Sequence, residues 1–171
     1  MSLPQISTLT NIAENLLDGS RIQTRRFILK LSDVNLAKLV TEIAEQFSED
    51  LNVARCHPDL EIDKENILLW DQNLIAQVLV NLLSNLVKYA PERPSKTSAM
   101  KQGHRVILCV EDHGQAIPLE KQSRIFERFE RINHVGDLPG LRLVLFVVKR
   151  IVGAHSRTNR AKINLAREFD F

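Results

Sequence analysis

Glycine is scarce in this chain, six in 171 residues, and no two stand within three positions of each other. A phosphate-cradling loop usually brings several together, because backbone N–H groups must approach the anion closely. The nearest candidate, "GLRLVLFVVKRIVGAHSR" from Gly140 to Arg157, opens on one glycine and then runs apolar. Cysteine is almost as rare. Cys56 and Cys109 lie far apart, and Cys109 sits inside the apolar run "RVILCVED"; this excludes a disulfide framework and points to a buried thiol in a reducing compartment, the cytoplasm by default. No stretch approaches the roughly 18 apolar residues of a membrane span, and "MSLPQIS" lacks the basic and apolar regions of a signal peptide. A net charge of +2 is too small to coat nucleic acid.

What is present is an ordinary globular composition, 44% hydrophobic and 26% charged. The length suits one domain, or one domain with an appendage, burying about two-thirds of its unfolded surface. There is no internal repeat or low-complexity segment.

Leu3, Ile6, Leu9, Ile12 and Leu16 follow the three-and-four spacing of a helix seam that stops at Gly19. A lone amphipathic helix must bury its stripe, either on its own domain or on another copy. "RRFILKL" alternates like a short strand, and a helix with Leu36, Leu39, Val40, Ile43 and Phe47 on one side follows a cap at Ser32 or Asp33. "DLEID" and "NILLW" read as strands. Asp71 caps a helix from about Gln72 to Ala90, closed by Pro91 and Pro94. "PERPSKTSAMKQG" reads as a loop and "RVILCVED" as a strand. His113 to Pro139 is irregular, with one helical turn near Leu119 to Phe126. The helix from Gly140 and two weak strands, "AKINL" and "EFDF", complete the pattern. Helices and strands mix without a regular period, which implies an α+β layer sandwich.

Two places carry chemistry. In "DQNLIAQVLVNLLSNLVKYA", Gln77, Asn81, Asn85 and Lys88 fall on one stripe of an otherwise apolar helix. Asparagine is a poor helix former, so the stripe costs stability and either bonds a neighbouring loop or serves a ligand. Amide oxygens with a lysine suit a hydrated magnesium ion and accompanying phosphates. In "VEDHGQAIP", Asp112 ends a buried strand just before Gly114, either in a plain turn or at a crevice where its carboxylate accepts from a ligand amine.

"QVLVNLLSNLVKYAP", "VEDHGQAIP", "IFERFERI" and "GLRLVLFVVKRIVGAH" occur in this order. They resemble the four boxes of the ATP-binding domain of sensor histidine kinases in the GHKL superfamily. The match is specific from about Asp71 to His155, and "IFERFERI" separates it from other branches of that superfamily. The resemblance implies a two-layer α/β sandwich of the GHKL (Bergerat) type, preceded by one amphipathic helix. Residues 1–24 then correspond to a remnant of a dimerisation helix and 25–171 to the ATP-binding domain. It implies ATP and magnesium as ligands. Asn85 matches the magnesium-holding asparagine, with Asn81 a turn earlier, and Lys88 and Tyr89 match positions on the phosphate and ribose side. Asp112 matches the acceptor of the adenine amine, and Gly114 the first glycine of that box. Phe126 and Phe129 match lid phenylalanines, with Arg128 and Arg131 beside them as phosphate contacts, and Gly140 opens the last glycine box. The implied partners are a response regulator and the dimerisation helix of the parent kinase, or a second copy forming a homodimer.

The chain also departs from the family. Arg142 and Val144 replace two of the three glycines after Leu138, Ala116 replaces the second glycine near Asp112, and His155, Ser156 and Arg157 stand where "HGG" is usual. The lid between Phe129 and Gly140 is short. Bulky Cβ substituents take the space in which backbone would approach a triphosphate. None of His57, His104, His113, His134 or His155 lies on a helix suited to accept phosphate, so no catalytic residue is expected within the chain. Two expectations therefore stand: the ATP-binding portion of a histidine kinase, whose parent phosphorylates a histidine and passes the phosphate on, or a pseudokinase interaction module with weakened or lost nucleotide binding.

Overall fold

The computed structural model describes residues 28–63, 67–102, 105–113, 139–157 and 161–164. Along the chain these form β1 (Ser32–Asn35), α1 (Leu36–Gln46), α2 (Ser48–Val53), β2 (Pro58–Ile62), β3 (Ile67–Trp70), α3 (Gln72–Tyr89), β4 (Ser95–Gln102), β5 (Arg105–Asp112), α4 (Pro139–Arg157) and β6 (Ala161–Asn164). The seam of Leu3 to Leu16, the turn near Leu119 and the strand "EFDF" lie outside the described residues.

The first strand begins later than its sequence suggests. Residues 28–31 are not in a strand, whereas 32–35 pair antiparallel with β3, Ser32 opposite Trp70 and Asn35 opposite Ile67. The pairing buries Val34 and Trp70 on one face and leaves Ile67 and Leu69 exposed on the other. The cap moves with it: Asn35 Oδ1, not Ser32 or Asp33, accepts the Lys38 N–H at 3.0 Å. From there Leu36, Leu39, Val40 and Ile43 bury one stripe of α1.

The main sheet runs β2-β4-β5-β6, with β4 and β5 antiparallel and the two outer pairings parallel. Its second strand corrects the expectation of a loop after Pro94. "SKTSAMKQ" has little intrinsic strand preference, but β2 and β5 supply a ladder on both sides, and such context outweighs propensity. Ser95, Thr97 and Ala99 are buried beside Val110 and Leu108. Lys96 and Met100 alternate onto the opposite face, where Met100 is 56% exposed.

Helices α1, α3 and α4 share one hydrophobic core with the buried face of this sheet. Leu36, Ile75, Val78, Val147 and Ile151 are each at most 1% exposed. One layer of helices packed on one face of a sheet is the expected α+β sandwich.

Candidate functional site

Helix α3 spans the expected residues because Asp71 Oδ1 accepts the Leu74 N–H at 3.2 Å, and Pro91 follows the last turn. Its polar stripe is graded. Asn81 is 3% exposed, and from it exposure rises through half-buried Asn85 to exposed Lys88, while Gln77, one turn before Asn81, is half-buried. Tyr89, the last helical residue, is half-buried. Gln77, Asn81, Tyr89 and Asp112 each have a partner already within the chain.

Asp112 ends β5, half-buried, opposite Ser95 in the ladder. The backbone is also tied down at the next residue. The His113 N–H reaches Pro94 O at 3.3 Å and its ring Nδ1 lies 3.0 Å from the same oxygen, so His113 extends the pairing of β4 with β5 by one residue. Register places Asp112 on the face of Val110, the side the helices cover. Thr97 stands on that face too, 1% exposed, and its Oγ1 has no hydrogen-bond partner among the described residues. The sequence reading missed Thr97, having placed it in a loop. The signal was faint, because small residues at 95, 97 and 99 face Lys96 and Met100 but Ser98, on that second face, is small and buried as well.

Gly140 lies in the first turn of α4, whose backbone is already helical from Pro139. Proline suits a helix start because its missing N–H would have no intrahelical partner there. The positions that would form a glycine loop, through Val144, therefore continue a helix, with Val144 half-buried. Gly114, Ala116, Phe126, Arg128, Phe129 and Arg131 lie outside the described residues.

At the other end of α4, His155 is completely buried. Its Nε2 accepts the Asp71 N–H at 3.1 Å, so Nδ1 carries the proton and donates it to Ile151 O at 2.8 Å. Trp70 meets the same ring edge-on at 6.3 Å between centroids. Asp71 Oδ2 accepts the Lys30 N–H at 2.9 Å.

No group of three or more His, Cys, Asp or Glu side chains suited to a metal occurs among the described residues. The donor set on α3 fits a different kind of site. A hard, hydrated magnesium ion takes one or two protein oxygens and completes its shell with water and phosphate oxygens, which the Asn85 amide can serve.

A single helical layer on a mixed sheet, with amides along one helix and a carboxylate at a strand end, is the architecture of a GHKL ATP-binding domain. Residues 70–167 match the histidine kinase-, DNA gyrase B-, and HSP90-like ATPase family, and the chain belongs to that family. It is 33% identical to the alginate biosynthesis sensor protein KinB of Pseudomonas aeruginosa over 88% of this chain and 25% of KinB. Its fold superposes on full-length ShkA in complex with AMPPNP with a TM-score of 0.74, at 23% identity, covering 87% of this chain and 31% of that one. It is also similar to the histidine kinase ThkA in complex with the response regulator protein TrrA, with a TM-score of 0.61 and 26% identity over 74% of this chain and 37% of that one. The chain thus spans about a quarter of the length of KinB.

Proposed function

We propose that this chain is the ATP-binding portion of a two-component sensor histidine kinase whose longer parent moves the ATP γ-phosphate to a histidine and then to a response regulator. One observation carries the reading: Asn81 is buried and Asn85 half-buried on α3, and Asp112 ends β5 on the sheet face that the helices cover. Asp112 accepts from the adenine amino group, since a carboxylate at a strand end is a fixed acceptor with no proton of its own to offer. Asn85 holds magnesium, with Asn81 one turn behind it. Lys88 and Tyr89 line the phosphate and ribose side, with Gly114 beside the base and Arg131 and Gly140 toward the phosphates. Thr97, buried with an unpartnered hydroxyl on the same face, is added to this set.

His113 and His155 are committed to backbone oxygens and to a backbone N–H, which supports a phosphoacceptor located elsewhere in the parent. Residues 1–24 are the remnant of its dimerisation helix, paired with the parent's other helix or with a second copy. No helix among the described residues is long and apolar enough to cross a membrane, and a cytoplasmic setting follows from the family's use of ATP.

One observation favours the pseudokinase reading: α4 is helical through residues 140–144, with Val144 half-buried where close backbone approach would be needed. Titration of Mg·ATP by calorimetry and thermal shift decides. Binding tighter than about 100 μM that disappears in Asp112→Asn supports the kinase reading, and saturation at about 100 times the Kd should add about 2.7 kcal/mol of stability. No heat and no shift at millimolar Mg·ATP would overturn it in favour of the pseudokinase.

A further inference from the structure

The nucleotide site uses one end of α3 and one end of α4, and His155 sits at neither. It lies where the last turn of α4 meets the residue that caps α3. Its ring receives a backbone N–H from Asp71 and gives its proton to Ile151 O, and both bonds are dry. A leucine there could fill a similar volume, but it would leave the buried Asp71 N–H without its acceptor, at a cost of about 1–3 kcal/mol. What the imidazole adds is direction: two buried hydrogen bonds fix one relative placement of two backbones where apolar packing tolerates several.

That placement has a long reach. Asn85 lies fourteen residues beyond Asp71, and Gly140 fifteen residues before His155, so the two candidate positions stand about 21 and 22 Å from the junction along helices of nearly equal length. A tilt of about 5° at the junction moves either far end by about 2 Å. The carboxylate of Asp71 joins a third element, because Oδ1 holds the start of α3 while Oδ2 holds the Lys30 N–H of the chain arriving from residues 1–27.

We propose that His155 is a positioning residue for the nucleotide site, and that the Lys30–Asp71–His155 junction sets the spacing of α3 and α4 around the phosphates. The inference rests on the nucleotide reading above.

The test uses the full chain and compares wild type, His155→Leu and His155→Gln by Mg·ATP calorimetry, with thermal midpoints measured alongside. Trp70 is the only tryptophan of the chain and touches the His155 ring, so its emission reports on the junction without any substitution. A positioning role predicts that folded His155→Leu binds Mg·ATP at least about tenfold more weakly. His155→Gln, whose amide offers a donor and an acceptor, should recover most of the affinity. In wild type, saturating Mg·ATP should shift the Trp70 emission, because coupling between two sites is reciprocal. A purely structural role would lower the midpoint of His155→Leu and leave the affinity of the folded protein unchanged. Unchanged affinity, or a Trp70 signal indifferent to saturating nucleotide, overturns the proposal while the nucleotide reading stands. A wild type that binds no Mg·ATP overturns both. If His155→Leu does not fold, His155→Gln and the wild-type Trp70 signal decide.

Discussion

On the proposed reading, the half-buried Val144 side chain stands where a phosphate group would need room. Arg142 and Val144 continue α4 where a kinase of this family would keep glycines, and the exchange has two opposite effects. It takes room from the ligand and it strengthens the helix, since glycine costs about 0.5–1 kcal/mol at a helix interior. The double variant Arg142→Gly/Val144→Gly should therefore bind Mg·ATP about tenfold more tightly while losing about 1–2 kcal/mol of stability; calorimetry and a thermal melt on one sample read both. Gly153 is the reverse case. It is exposed within α4, and a Cβ added there meets nothing within 4 Å. Gly153→Ala should stabilise the protein by about 0.5–1 kcal/mol, raising the thermal midpoint by about 1–4 °C, with nucleotide affinity unchanged. The asparagines of α3 were legible in the sequence because amides inside an apolar helix contradict its local logic. Asp112 was legible from its place between an apolar run and a glycine. Thr97 was not, because its burial comes from strands on either side and from helices distant in sequence.

At the scale of elements, legibility followed periodicity. Helices α1, α3 and α4 announce themselves by apolar spacing, and strands β2, β3 and β5 by short hydrophobic runs. Strand β4 has small and polar residues on its buried side and charge and methionine on the other, so the pattern that would mark it is faint. β1 was displaced because "RRFILKL" alternates better than "SDVN", while pairing with β3 and burial of Val34 choose the latter. On the open face of β4, Lys96 Nζ lies 2.7 Å from Glu61 Oε2. Its pKa is raised above the ordinary 10.5, chiefly by that hydrogen bond and then by the charges of Glu61, Glu111 and Asp59. A lysine held up in the folded state stabilises it at every pH below its unfolded value and ceases to do so as pH rises through the folded one. The gap in thermal midpoint between wild type and Lys96→Met should hold steady through neutral pH and close only above about 10.5. Because the pair is exposed, the gap is small.

For the whole molecule, the sheet is a local pair with two distant additions. β4 and β5 are neighbours in sequence and pair antiparallel, whereas β2 and β6 each join in parallel from across a helix. Among the described residues β2 is the end strand on one margin, and it carries Asp59 and Glu61, charges that discourage another strand from adding there. Among the described residues, β6 is the last strand on the other margin, beside β5. A chain stopped after Arg157 would leave the β5 ladder open, with Val106, Ile107 and Leu108 along it. Light scattering on such a truncation should show self-association beyond that of the full chain.

The same strand order has a consequence in time. During synthesis the β4–β5 hairpin can close as soon as its residues emerge, since it needs no long loop. The outer rim of β5 must then wait through the whole of the 114–160 stretch for its neighbour. At about 5–20 residues added per second, that leaves several seconds in which a bare strand faces the crowded exterior of a ribosome. The hazard of this architecture is thus greatest before the protein is finished, and the four residues of β6 are what bring it to an end.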